Sequence, residues 1–354
     1  MKQETMTSLL QRLDAVPGVS GFEREVGACM AEELAGCYDE SWTDALGNRL
    51  FVKKGKRPDF TVLLSAHMDE PGFIVGDISP AGAALLLPVG FQDPRLLYGR
   101  DYLLYTARGP LPAVSGFGGM PEEKGGQPAQ KGEGIWVDLG ARSRKGAENM
   151  GAAVGDAAAS DRRGQPLGKN LFTGRAVDNR AGCAALVGTM QLLRGISIEA
   201  TVIACASVQG QLGTWGLEAA AHAVSAQAAL CFSTCPGAGE EEAGSLRHPL
   251  LGGGPAIPVY EGEPAAPGYV TPLRLRQRLT EAARRGRLPW QLAGTDGGKI
   301  NAAAPALSSL GMLAGGIRIP ARFLPSAAGV VDVRDILRAS QLAVSFLQGA
   351  ALPL

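Results

Sequence analysis

The sequence predicts an α/β fold, a mostly parallel sheet covered by helices, with a small β-barrel-like domain inserted into it. Three observations carry this reading. Short apolar runs alternate with amphipathic stretches toward both ends of the chain, the pattern of strand, crossover helix and parallel strand. Between residues 71 and 169 that pattern gives way to short β-like runs broken by glycine and proline. At 354 residues the chain is long enough to bury more than one core. Residues 1–70 and 170–354 are therefore assigned to the α/β body and 71–169 to the insertion.

Leu9, Leu10, Leu13 and Val16 recur at helical spacing, and Ser20-Gly21-Phe22-Glu23 has the form of a capping box that starts a second helix. Asp44-Ala45-Leu46-Gly47-Asn48 reads as a turn between strands, and Thr61 to Ser65 as a buried strand that leaves His67 just past its carboxyl end, the edge where open α/β sheets bind ligands. Gly116 to Gly134 reads as a long loop within the insertion. After the insertion come an alanine-rich helix following Asp178, a strand at 201–206, a helix after Thr214 and a strand at 228–232. A helix from Pro272 to Arg285 sets Leu275, Leu279 and Ala282 on one face and arginines on the other, a solvated face rather than a binding patch. Gly311 to Ile319 reads as a strand, and 332–347 as an amphipathic helix capped by Asp332.

Lysine plus arginine equals aspartate plus glutamate, 34 of each, so the basic excess of nucleic-acid binders is missing. The first residues lack the basic flank and apolar run of a signal peptide, and no apolar stretch reaches the roughly 18 residues of a membrane span, which makes a cytoplasmic protein the expectation. Six irregularly spaced cysteines without CxxC pairs suit buried free thiols.

Chemistry concentrates in two segments. Ser65-Ala66-His67-Met68-Asp69-Glu70 ends a strand, and Ala176-Val177-Asp178-Asn179-Arg180 opens a helix. Together they supply a histidine, an orienting acid and a carboxylate able to bridge cations. The next segment where acids are expected reads Ser207-Val208-Gln209-Gly210-Gln211-Leu212-Gly213 and holds none.

Those runs, with Val19-Ser20-Gly21-Phe22-Glu23, Thr43 to Asn48, Pro71-Gly72-Phe73, Val137 to Gly140, Gly294-Thr295-Asp296 and Ile319-Pro320-Ala321-Arg322-Phe323, resemble in order the glutamyl and deblocking aminopeptidase family. Its members are dinuclear metallopeptidases that form tetrahedral dodecamers and were once described as cellulases. The resemblance implies a peptidase domain with a β-barrel-like insert that carries oligomer contacts. It implies His67 as a metal ligand, Asp69 as its orienter and Asp178 as the bridge, and it leaves Thr295 and Asp296 either to shape the substrate pocket or to cap a helix. It places the family's general base on Gly210, a ligand on Gln211, another on Phe232 or Ser233 within Cys231 to Thr234, and the last on Pro325. By this mapping two of five ligands remain and the base does not.

Two divalent ions bring four positive charges, and Asp178 alone offsets few of them in a partly desolvated cleft. His67 and Asp178 also fall short of the three protein ligands usual for catalytic zinc. Loss of the base costs on the order of 10²–10⁴ in rate. The expectation is a non-catalytic scaffold, peptide-binding protein or partner of an active paralogue, without a cofactor, self-associating, and with Asp178 free to pair with Arg180 or another cation. The alternative is an aminopeptidase acting on short peptides with an atypical or single-metal site holding zinc or cobalt, in which Cys231, Cys235, Cys205 or His222 replaces lost ligands. His248 in a Pro/Gly-rich loop and the acid run Glu240-Glu241-Glu242 read as solvated. Acids restored at 210, 211 and 232 or 233, with Pro325→His, are expected to return metal binding.

Overall fold

The computed structural model describes residues 1–116, 134–239, 246–262, 268–296, 302–308 and 311–349. At its centre four parallel strands lie in the order Ala200–Ser207, Arg57–His67, Ala228–Pro236, Leu313–Arg322. They are apolar almost throughout because both faces are covered. Antiparallel strands extend the sheet outward, Arg49–Lys53 beside Ala200–Ser207 and Gly329–Asp332 beside Leu313–Arg322. Leu64, Phe232 and Ile317 face a core shared with the helices Gln3–Ala15, Arg24–Glu33, Val177–Leu192 and Val333–Gln348. Leu63, Cys205, Cys231 and Ala314 face the other core, beneath Trp215–Ala223 and Ala303–Leu307.

A second sheet holds Gly72–Ile78, Ala84–Val89, Arg100–Thr106, Gly109–Ser115, Ile135–Val137 and Ala157–Ser160. Val114 in one outer strand exchanges backbone hydrogen bonds with Asp138, one residue past the other outer strand, so the two ends meet and the sheet curls toward a barrel. The next strand, Gln165–Leu167, pairs with Leu171–Gly174 in the main sheet. Of the loop read at Gly116 to Gly134, residues 117–133 lie outside the described residues, as does the acid run at 240–242.

Helix ends follow local chemistry where a cap is close in sequence. Asp332 accepts from the Arg334 N–H at 2.8 Å and starts the last helix as expected. The capping box at Ser20 does not form. The Ser20 hydroxyl instead donates to Asp69 at 2.6 Å, Glu23 accepts from the Gln209 N–H at 2.8 Å, and the helix begins at Arg24. Among the described residues no helix is long and apolar enough to cross a membrane.

Candidate functional site

Register decides which side chains can meet. His67 is the last residue of its strand rather than one past it. Ser65 pairs with Cys231, and two residues on, the same register sets His67 level with Ser233. Ser233 in turn pairs with Arg318. Side chains alternate along a strand, so His67, Ser233 and Arg318 form a row on one face, while Phe232 points into the opposite core. Of the two positions left open by the sequence, Ser233 is therefore the one on the face of His67.

Asp69 ties this edge together. Its carboxylate, fully buried, accepts from the Ser20 hydroxyl at 2.6 Å and from the backbone N–H groups of Gly210 and Gln211 at 2.7 and 2.6 Å, and it lies 3.1 Å from His67 Nδ1. Burial alone would raise its pKa. The bonds from His67, Ser20 and the Gln211 N–H outweigh that and hold it at about 2. Asp69 thus sits against His67 Nδ1 and also pins the 209–211 loop to the amino-terminal segment.

Asp178 stands at the start of the helix Val177–Leu192, where its backbone (φ −91°, ψ 101°) is not yet helical. One oxygen lies 4.0 Å from His67 Nε2 and accepts from the Thr234 hydroxyl at 2.6 Å. The other accepts from Gln211 Nε2 at 3.1 Å. The expected pairing with Arg180 is not made. Arg180 points back under the first helix to the carbonyls of Leu13 and Val16 and to Glu70 at 3.5 Å. Glu70, fully buried, also receives Arg175 at 2.5 Å, so this ion cluster braces the body rather than the cleft.

Gly210 packs directly against the imidazole. A Cβ at this position would fall 2.3 Å from His67 Cγ, so no other residue fits while His67 keeps its place. Pro325 lines a cleft with Pro71, Phe73, Phe91, Arg100 and Arg175. Thr295 and Asp296 end a strand beside Glu261 and Gly262, and their side chains lie outside the described residues.

The proposed substitute ligands do not converge. Cys205, Cys231 and Cys235 are buried free thiols whose pKa values burial raises, to about 12 for Cys231 and Cys235. His222 is exposed on a surface helix, with Nδ1 2.8 Å from the Glu218 carbonyl. Among the described residues no three His, Cys, Asp or Glu side chains are placed to hold a metal ion.

Sequence reasoning passed over Arg318. Its guanidinium is buried on Ser233, donating to the Ser233 hydroxyl and, at 3.4 Å, to the Thr234 carbonyl, while Nε donates to Glu261 at 2.6 Å. Burial opposes its charge, and Glu261 more than offsets this, leaving its pKa raised. The available signal was a cation in the interior of the run Gly315-Gly316-Ile317-Arg318-Ile319-Pro320, whose other residues are all apolar.

A parallel sheet between helices, a curled β insert, and a histidine and aspartate meeting at the sheet's carboxyl edge together define the architecture of an aminopeptidase-type hydrolase. The M42 glutamyl aminopeptidase model matches residues 47–342, and the chain belongs to that family. The lysyl aminopeptidase of Pyrococcus furiosus is 27% identical over 352 residues, covering 96% of each chain. The solved structure of an aminopeptidase from Desulfurococcus kamchatkensis superposes with a TM-score of 0.91 at 30% identity, covering 98% of this chain and 96% of that one. The Pyrococcus horikoshii TET1 peptidase, which can assemble into a tetrahedron or a large octahedral shell, shares the fold with a TM-score of 0.82 at 24% identity over 97% of this chain and 99% of its own.

Proposed function

We propose that this chain is a non-catalytic member of the aminopeptidase family that binds short peptides, associates with copies of itself, and serves as a scaffold or as partner to an active paralogue. The observation that carries the reading is the environment of Asp178. Both of its oxygens accept from neutral donors, Gln211 and Thr234, and the residue mapped to the general base is a glycine closed off by His67. A centre for two divalent ions needs several carboxylates to balance four charges, and this donor set does not fit one. Asp178 keeps about a third of its side chain exposed. Its charge is well placed to take the α-ammonium group of a short peptide through a charge-assisted hydrogen bond.

A second reading, a metal-dependent aminopeptidase with one ion, draws on the 4.0 Å approach of His67 Nε2 to Asp178 and on Asp69 behind Nδ1. Elemental analysis after stripping and dialysis against zinc and cobalt, followed by assays on aminoacyl anilides, separates the two. Absent metal and absent turnover, with peptide binding weakened on the order of tenfold by Asp178→Asn, support the first. Stoichiometric metal with turnover would sink it. Self-association is read from the mass in solution, and a monomer at micromolar concentration would remove that part.

A further inference from the structure

We propose that Arg318, locked to Glu261, is the resident cation of this cleft and keeps it closed to metal ions. The inference rests on the reading of the cleft as metal-free and deepens it. A centre that had merely dropped its ligands would leave a polar hollow open to water. Here a guanidinium stands on Ser233, the position on the face of His67 where the family resemblance puts an acidic ligand. Its counter-charge is supplied from a different strand, Ala256–Gly262, by a glutamate almost wholly buried. A buried ion pair of this kind costs desolvation on both sides and persists only where its geometry and hydrogen bonds are good.

The charge therefore sits in the row His67, Ser233, Arg318, fixed by strand register. Arginine is never deprotonated in proteins, so this cation, unlike a histidine or lysine, does not leave when pH changes. A divalent ion held by the same row would meet, in place of an acidic ligand, a guanidinium whose carboxylate partner is already engaged, so the pair offers it no negative charge. A carboxylate introduced at position 233 would find the guanidinium donors already in contact and be taken by them. The restoration expected from sequence, acids at 210, 211 and 232 or 233 with Pro325→His, thus meets two obstacles, Arg318 beside position 233 and the lack of room beside His67 at Gly210.

The test leaves Gly210 unaltered. Ser233→Asp with Gln211→Glu gives the cleft four ligand-type side chains with His67 and Asp178. Zinc binding is measured by calorimetry and elemental analysis in this variant, and again after adding Arg318→Ser with Glu261→Gln, which removes both charges together and leaves neither buried alone. The expected result is no zinc uptake while Arg318 is present and an affinity higher on the order of 100-fold once it is gone. Equal affinity with and without Arg318, or no uptake in either, overturns the inference. If the charge-free variant does not fold, the zinc-dependent thermal shift of Ser233→Asp with Gln211→Glu decides alone, no shift supporting the inference and a shift overturning it. Zinc uptake by the unaltered chain would instead defeat the reading of a metal-free cleft.

Discussion

Replacing Asp69 by asparagine tests whether this residue persists as a remnant of metal chemistry or as the joint of the fold. Its carboxylate receives Ser20, the Gly210 and Gln211 N–H groups, and His67. Asparagine offers one oxygen where two accept, so the donors on the other side meet an amide NH₂ group. The drop in pKa from 3.8 to about 2 corresponds to about 2 kcal/mol favouring the ionised form in the folded state. Each buried donor left unpaired adds about 1–3 kcal/mol. A loss of about 3–5 kcal/mol at pH 7 is expected, read as a lowered urea midpoint. The pH dependence has a definite sign. A carboxyl with a depressed folded pKa contributes stability that is fully present above about 4 and is lost as pH falls through about 2. The unaltered chain should therefore lose stability over that window, and Asp69→Asn should lose less. A loss of unfolding free energy under ~1 kcal/mol at pH 7, with an unchanged acid limb, would refute the structural role given to Asp69.

Gly210→Ala places a Cβ 2.3 Å from His67 Cγ and should cost about 1–3 kcal/mol while displacing the imidazole, seen as a changed His67 ring resonance by NMR. Glu70→Gln leaves Arg175 and Arg180 buried without their shared carboxylate, and a loss of about 3–5 kcal/mol is expected in urea unfolding. Asp335, buried beneath the Gly252 and Gly254 N–H groups, has its pKa raised to about 6, chiefly by burial. The folded state then binds a proton that the unfolded chain releases, so this residue should add stability as pH falls from about 7 toward 4, up to about 3 kcal/mol. Asp335→Asn should flatten that part of the profile, and an unchanged slope would show that burial does not govern this carboxyl.

Much of the fold could be read from local pattern. The helices at 273–285 and 333–348 follow the period of their apolar residues, and the turn at Asp44 to Asn48 follows an aspartate whose carboxylate accepts the N–H groups of Leu46, Gly47 and Asn48. The capping box at Ser20 satisfied the local rule and still failed, because the Glu23 carboxylate accepts from the distant Gln209 N–H and Ser20 is held on Asp69, 49 residues away. Arg180 looked like a partner for Asp178 because the two are close in sequence. The helix start turns them apart, one toward the cleft and one toward Glu70.

The sequence by itself determined the family, the α/β body with its β insert, and the types of residue at the sheet's carboxyl edge, since these depend on identity and short-range period, while the strands Ala256–Gly262, Gln291–Asp296 and Gly329–Asp332 went unread. Which groups satisfy Asp178, that Arg318 lies on Ser233, and that Gly210 touches His67 were decided only by the tertiary structure. Those contacts join strands and loops dozens of residues apart, and the choice of neighbouring strands across long crossovers, which the pattern within one run does not specify, sets which side chains meet.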